Sequence, residues 1–268
     1  MDLSLPSQAP TGEVLVEDDG RVRRIVLNRG PQRNLLTHEM MSALSAALDA
    51  PDARVIVIAA TGPAFCAGHD MKAMAAHHAD ADAGQDYFAA LFAQCSALMA
   101  KIESVPQPVI AEVHAIAVAA GCQLVAACDL AVAADSARFG TTGVTFGLYC
   151  STPAVPLTRT VAAKHAAELL MTGDVVDAAH ALRIGLVNRV VPAADITRET
   201  MALAAHIAEK SQAVLALGKR AVKAQRNLPL AEAYACASAA MVDNLLLEDG
   251  KEGLAAFAAK RPPNWQDG

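Results

Sequence analysis

The chain has 268 residues, of which 54% are hydrophobic and 19% are charged, and its net charge at pH 7 is −6. This composition excludes a disordered chain, because enough apolar side chains are present to form a core, and the length fits one large domain or a domain with an appendage. The net negative charge excludes the basic surface expected of a nucleic-acid-binding protein.

The N-terminal half alternates predicted strands and helices. Two alternating segments, 13–17 and 22–28, are joined by an Asp-Asp-Gly turn and predict a hairpin. A helix capped by Thr37 follows. Further along, short apolar strands and helices are predicted in turn at 55–60, 86–104, 108–113, 121–128 and 130–133. This order is typical of an α/β protein.

Helical patterns dominate from about residue 160 onwards. They are predicted at 162–172, 178–184, 195–210, 211–225, 230–246 and 252–260, with one more strand at 186–191. Gly173 and Asp177 are suited to end one helix and begin the next. We therefore predict an α/β core over residues 1–195 and a helical region over residues 196–268 that packs on a neighbouring subunit.

Several enzyme classes lack their motifs. No GxGxxG follows a strand, and GxxxxGK[ST], GxSxG and HExxH are absent. The His77-His78 pair is more simply a solvated surface, so no metal is predicted. We also expect no secretory signal and no membrane span. The six cysteines form no CxxC pair, which indicates free thiols in a cytosolic or matrix-like compartment.

Two segments rich in small residues carry the candidate chemistry. Residues 61–72 follow a predicted strand, and residues 113–124 pass from a strand into a helix. Small residues let backbone N–H groups approach a ligand, and the first N–H groups of a helix are unpaired. Two such loops can supply two donors to one oxyanion. Simple packing of small residues before a helix is the alternative interpretation.

Four segments together resemble the crotonase, or enoyl-CoA hydratase/isomerase, superfamily. They are 28–35 (NRGPQRNL), 64–71 (AFCAGHDM), 119–124 (AAGCQL) and 252–261 (EGLAAFAAKR). Their order and spacing hold over about residues 13 to 265. The resemblance implies an α/β, crotonase-like spiral of ββα turns with a C-terminal helical trimerisation region. It also implies trimers that often pair into hexamers.

The same resemblance implies a coenzyme A thioester as substrate and no other cofactor. The backbone amides of His69 and Ala120 take the positions that hold the thioester oxygen as it becomes enolate-like. Arg33 and Lys72 are candidates to contact the phosphates, and Phe257 with Lys260 of a neighbouring subunit would close the nucleotide site. The adenine end of the coenzyme would lie along Ala64, Phe65, Cys66 and Ala67, and Asp70 and Tyr149 are the remaining candidates for contact with substrate or coenzyme.

Both carboxylates of the family's hydratases are replaced in this sequence, by Gln123 and Gly143. A glutamine orients a water but takes up no proton at neutral pH, and a glycine has no side chain. Positioned acid–base groups contribute roughly 10²–10⁴ in rate each, so ordinary hydration is in doubt. Tyr149 could act as an acid or line the acyl pocket. The His69 side chain could reach the acyl group or point outward.

Two functions therefore stay open. The first is a hydratase-like enzyme that acts through an oxyanion-stabilised thioester enolate. The second is an acyl-CoA-binding or regulatory homologue, and isomerisation or thioester hydrolysis are other reactions of the same site. A dinucleotide-dependent oxidoreductase is a distant third. The sequence also resembles a subgroup of this superfamily that lacks both of the hydratase glutamates. We expect a cytoplasmic homo-oligomer, and expect Gln123→Glu with Gly143→Glu to raise hydratase activity if the scaffold is retained.

Overall fold

Ten strands form two sheets in the computed structural model, which describes residues 12–266. The strands are β1 Val14–Asp19, β2 Val22–Leu27, β3 Val55–Ala60, β4 Ala64–Cys66, β5 Val109–Val113, β6 Ile116–Val118, β7 Leu130–Ala134, β8 Arg138–Gly140, β9 Val176–Asp177 and β10 Arg189–Val191. The large sheet has the order β1-β2-β3-β5-β7-β10 and the small sheet has the order β4-β6-β8-β9.

Eleven α-helices are described in the same part of the chain. They are α1 His38–Ala47, α2 Met71–His77, α3 Gln85–Ser104, α4 Ala120–Ala127, α5 Ser151–Thr160, α6 Ala163–Thr172, α7 Ala178–Arg183, α8 Ile196–Ala208, α9 Gln212–Gln225, α10 Leu230–Leu246 and α11 Glu248–Ala258. Short 3₁₀ turns occur at Gly30–Gln32, Thr142–Phe146 and Ala193–Asp195.

From β3 to β8, consecutive strands alternate between the two sheets, and this alternation makes the chain spiral. β3, β5 and β7 lie in the large sheet, and each is followed within a few residues by β4, β6 or β8 of the small sheet. Helices then return the chain to the large sheet, where β2, β3, β5, β7 and β10 run parallel. The predicted spiral of ββα turns is confirmed.

Local sequence signals identify the long elements correctly. Thr37 Oγ1 accepts a hydrogen bond from the N–H of Met40 at 3.2 Å, and Asp177 Oδ1 accepts one from His180 at 2.7 Å. The sequence analysis missed β4, β6 and β8, because three residues are too few to display an alternating pattern. It also missed α5, whose prolines at 153 and 156 are typical of loops.

The C-terminal region separates from the core later than predicted. Ile196 and Ala204 of α8 are buried against Val55, Val57 and Ile110 of the large sheet, so α8 packs as part of the α/β core. By contrast, α10 has no buried residue. Among residues 12–266, no single helix is long and apolar enough to cross a membrane; α10 and α11 meet that criterion only as a pair, bent by 72°.

Gly121 sets the close approach of α4 to β4. A Cβ atom at this position would lie 2.0 Å from the carbonyl oxygen of Cys66 and 2.7 Å from its carbonyl carbon. Both are backbone atoms, so neither can yield without displacing β4. The first turn of α4 therefore reaches the small sheet only because residue 121 has no side chain.

Gly121→Ala should lower the free energy of unfolding by about 1–3 kcal/mol, the usual cost of overpacking, in urea denaturation. Gly218→Ala is the matched control. Gly218 lies inside α9, and nothing is within 4 Å of the position of a Cβ there. Alanine should therefore raise the free energy of unfolding by about 0.5–1 kcal/mol. Equal effects of the two substitutions would contradict this packing argument.

Candidate active site

Three strand ends meet at one edge of the small sheet. β4 pairs in parallel with β6, and β6 pairs in parallel with β8, so their carboxyl ends lie side by side. The chain leaves these strands through residues 67–70, 119–120 and 141–143. Residues of these three segments border a cavity of about 880 Å³.

The cavity wall is mainly apolar, as in most sites for small organic ligands. Its large apolar side chains are Met71, Met74, Phe88, Phe92, Phe146, Leu148 and Pro153. Its titratable side chains are those of His69, His78, Tyr149 and Cys150. No carboxylate from residues 12–266 borders the cavity.

The predicted amide pair is brought together. His69 and Ala120 both border the cavity, and a Cβ on Gly68 would lie 3.2 Å from Ala120 N, so the two loops are in contact. Ala120 begins α4, which leaves its N–H without an intrahelical acceptor. Within residues 12–266 neither amide donates a hydrogen bond. Such a pair of free donors can hold a developing oxyanion.

Ala119, the residue before the second amide, has a strained backbone conformation. Its φ of 51° and ψ of −121° lie in a region that residues with a side chain avoid. The turn is anchored by its N–H, which donates to Gly140 O at 2.9 Å, and by its carbonyl, which accepts from Gln123 N at 3.1 Å. Strain of this kind is often found where a ligand is held.

Gln123 does not border the cavity, contrary to the prediction that it orients a water or an acyl group there. The residue is 3% exposed, and the Cys95 thiol of α3 donates a weak hydrogen bond to its Oε1 at 3.9 Å. Every residue of α4 is buried. The side chain therefore lies behind the cavity wall, covered by α3.

Gly143 borders the cavity, but its position has no room for a side chain. A Cβ there would lie 2.3 Å from Leu148 O and 2.8 Å from Cys150 Sγ. The N–H of Leu148 also donates to Gly143 O at 3.0 Å, which closes the turn. The scaffold condition attached to Gln123→Glu with Gly143→Glu is therefore not met, and the expected gain in hydratase activity is withdrawn.

Two predictions about the coenzyme-binding loop need correction. The residues of β4 are at most 1% exposed, so the side chains of Ala64, Phe65 and Cys66 cannot line an adenine site. Asp70 is the N-cap of α2, since its Oδ1 accepts from Lys72 N at 2.9 Å and from Ala73 N at 3.1 Å. Ala67 and Tyr149 do border the cavity.

The predicted cations and Phe257 lie outside the cavity wall. Arg33 and Lys72 are exposed and form no ion pair within residues 12–266. Arg33 adjoins the His69 loop, because its carbonyl accepts from Ala67 N at 3.1 Å. Phe257 is 85% exposed, and Lys260 follows the end of α11. Their contacts with a ligand stay predictions.

Sequence reasoning missed the wall formed by α2 and α3. Met71, Met74, Ala75 and His78 all border the cavity. Their spacing of i, i+3, i+4 and i+7 is the pattern of one helix face, and it was available in the sequence. Phe88 and Phe92 of α3 complete this side of the wall.

One potential metal-binding group was also missed. His165 and Glu168 of α6 and His180 of α7 place their candidate ligand atoms within 4.8 Å of one another. His165 Nδ1 and Glu168 Oε2 are 3.9 Å apart, and Arg183 Nη2 lies 3.3 Å from His180 Nδ1. None of the three borders the cavity.

Residues 18–268 match the family described as Enoyl-CoA hydratase/isomerase. The chain belongs to this family. It is 46% identical over 253 residues to mouse "Enoyl-CoA hydratase domain-containing protein 3, mitochondrial", covering 93% of this chain and 82% of that protein. It is 36% identical to "Probable enoyl-CoA hydratase echA8" of Mycobacterium tuberculosis, covering 94% and 97%.

Solved structures of proteins named as enoyl-CoA hydratases or as containing that domain have the same fold. The crystal structure of human enoyl-CoA hydratase domain-containing protein 3 has a TM-score of 0.88 and 44% identity, covering 94% of this chain and all of that one. A Mycobacterium smegmatis enoyl-CoA hydratase has a TM-score of 0.90 and 43% identity, covering 95% and 99%. The predicted family, fold class and resemblance to the domain-containing protein 3 branch are confirmed.

The predicted cytoplasmic location is contradicted by these relatives. The curated proteins from mouse, Xenopus laevis and human are all named as mitochondrial. The prediction was wrong because free cysteines do not distinguish a cytoplasmic from a mitochondrial protein. Free cysteines are compatible with any reducing compartment.

Ala119→Gly should raise the free energy of unfolding by about 1 kcal/mol, because glycine adopts a positive φ without steric cost. Urea denaturation measures the change. Ala126→Gly is the control within the same helix, where glycine should lower the free energy of unfolding by about 0.5–1 kcal/mol or more. Destabilisation by Ala119→Gly would show that residue 119 carries no relievable strain.

Gly143→Glu should lower the unfolding midpoint, because the new Cβ would overlap Leu148 O. The double variant with Gln123→Glu should hydrate crotonyl-CoA no faster than the parent. Loss of the enoyl-thioester ultraviolet absorbance measures the rate. Gln123→Glu alone is the comparison that isolates the first position. A faster double variant would mean that the 143–148 turn reopens at little cost.

Proposed function

We propose that the chain binds acyl-CoA thioesters and stabilises the thioester oxygen, as it becomes enolate-like, through the backbone N–H groups of His69 and Ala120. This proposal is supported by two backbone amides that donate no hydrogen bond within residues 12–266. They lie on loops in contact with each other, beside an apolar cavity of about 880 Å³. Donors fixed in advance by the backbone act without reorganisation during the reaction. No cofactor besides the coenzyme A thioester itself is proposed.

The coenzyme half of the ligand is anionic, so local cations must bind it on a chain of net charge −6. Arg33 and Lys72 are suited to this role, because they are exposed and make no ion pair within residues 12–266. Phe257 and Lys260 are proposed to close the site from a neighbouring subunit. This arrangement requires a homo-oligomer, a trimer or a dimer of trimers.

The apolar surface of the C-terminal helices supports such an assembly. Exposed large apolar side chains of this surface are Leu230, Tyr234, Met241, Val242, Leu245, Leu246 and Leu254. A concentration of exposed apolar side chains on neighbouring helices is typical of a surface that contacts another protein. A second copy of the chain would bury it.

Two roles are candidates for this thioester site. The first is a hydratase-like lyase, in keeping with relatives named as enoyl-CoA hydratases. The second is an acyl-CoA-binding homologue without hydratase activity. The closed turn at Gly143 and the separation of Gln123 from the cavity favour the second, because neither position offers a carboxylate to activate water. Isomerisation or thioester hydrolysis would use the same amide pair.

Ala120→Pro tests the proposed amide. Proline lacks the N–H and is tolerated at the first position of a helix. The preceding Ala119, with φ of 51° and ψ of −121°, is not in the extended conformation that proline favours before it. The unfolding midpoint of the variant must therefore match that of the parent before a loss is assigned to the amide. Any hydration of crotonyl-CoA should fall by about 10²–10³-fold, and calorimetry should show weaker binding. Ala163→Pro is the matched control at the first position of α6, where the preceding Ala162 is extended with ψ of 146°, as proline requires. It should leave both measurements unchanged.

Each outcome decides between the candidates. Turnover that is lost in Ala120→Pro and kept in Ala163→Pro means that hydration proceeds without the glutamate pair. Binding of crotonyl-CoA without turnover assigns the acyl-CoA-binding role or another reaction of the enolate. A folded parent protein that does not bind crotonyl-CoA would refute the proposed function.

A further inference from the structure

The imidazole of His69 is held in one tautomer. Its Nδ1 lies 3.0 Å from the carbonyl oxygen of Leu36, and because a carbonyl only accepts hydrogen bonds, Nδ1 carries the proton. The ring also packs edge-on against Phe92, with 5.7 Å between the ring centroids. Nε2 is then the nitrogen with a free lone pair.

That lone pair has no partner among the residues that the structure describes. Nε2 is buried and forms no hydrogen bond within residues 12–266. Buried polar atoms are nearly always paired, so an exception in the wall of a cavity indicates a functional position. His69 borders the cavity, and the acyl Cα of a thioester held by the His69 amide is only two bonds from the bound oxygen. Nε2 itself is closed to solvent, so it reaches Cα only when the bound thioester displaces the atoms that cover it. The amide and the imidazole of the same residue then act on adjacent atoms.

The surroundings keep this imidazole neutral. Burial lowers the pKa of His69 and outweighs the hydrogen bond to Leu36 O, which raises it; the nearby His38 of α1 lowers the pKa further. The other titratable groups that face the cavity are His78 at the end of α2 and Tyr149 and Cys150 before α5. Burial raises the pKa of the Cys150 thiol, which keeps it protonated. Asp70, the next residue in the chain, is engaged in capping α2.

We propose that the His69 imidazole is the catalytic base of this site. Nε2 takes a proton from Cα of the bound acyl-CoA, and the electron pair of that C–H bond moves into the thioester. The enolate oxygen so formed is held by the amides of His69 and Ala120. The imidazolium then returns a proton to carbon. This inference rests on the proposed function and deepens it, since one base moves a proton at carbon without activating water.

Deuterium exchange at Cα of butyryl-CoA in D₂O tests the proposal. This saturated thioester cannot be hydrated, so exchange reports deprotonation alone. The wild-type protein should incorporate deuterium, and the rate should rise with pH and then level off as His69 becomes neutral. Because burial lowers its pKa, the midpoint should lie below the ordinary histidine value of 6.5. Mass spectrometry of the recovered thioester measures the exchange.

His69→Asn removes the base and keeps the rest of the residue's contacts. It retains the backbone N–H, and the asparagine amide can still donate to Leu36 O. Exchange should fall by about 100-fold or more, while calorimetry shows butyryl-CoA still bound. His114→Gln is the matched control, because His114 also has a buried, unpartnered nitrogen, Nδ1, but does not border the cavity. It should exchange at the parent rate.

The outcomes separate this inference from the proposed function. Unchanged exchange in His69→Asn, or no exchange by a wild-type protein that binds butyryl-CoA, would overturn the assignment of the base and leave the thioester site intact. A folded wild-type protein that does not bind butyryl-CoA would overturn the proposed function itself. If His69→Asn does not fold, the wild-type pH profile decides, since a rate independent of pH between about 5 and 8 excludes an imidazole base.

Discussion

The parallel pairing of three short strands, β4, β6 and β8, positions the rest of the site. Parallel strands end at the same edge of a sheet, so the loops after them are neighbours although they are far apart in sequence. The contact between Gly121 and the backbone of Cys66 then fixes α4 against this edge. As a result, the first amide of α4 and the amide of His69 occupy the wall of one cavity.

Packing closes both positions at which the family's hydratases have a carboxylate. At Gly143 the turn closes onto Leu148 and Cys150 and fills the space that a side chain would need. Gln123 lies behind the wall, with Cys95 as its neighbour. The elements that support a thioester oxygen are thus retained, while the elements that would activate a water between two carboxylates are missing. Proton transfer at carbon by the single base of His69 fits this division.

In the proposed function, the cavity and the outer surface recognise different halves of an acyl-CoA. The cavity is apolar and lacks carboxylates from the described residues, which suits an acyl chain. Arg33 and Lys72, which form no ion pair within residues 12–266, lie outside it, near the loop that carries His69. Phe257 and the apolar surface of α10 remain uncovered in a single chain. In the proposed function, a second copy of the chain would complete the coenzyme site.

The sequence by itself determined the family and most of the long helices and strands, and it predicted which two loops would meet, because these depend on short motifs, caps and periodicity that are local in the chain. It could not reveal that Phe65 and Cys66 are buried in β4, that Asp70 is a cap, or that Gln123 is covered by α3. It also left the orientation of the His69 ring open. Only the tertiary structure decided these points, because burial and hydrogen-bond partners come from segments distant in sequence, such as Leu36 for His69 and Leu148 for Gly143.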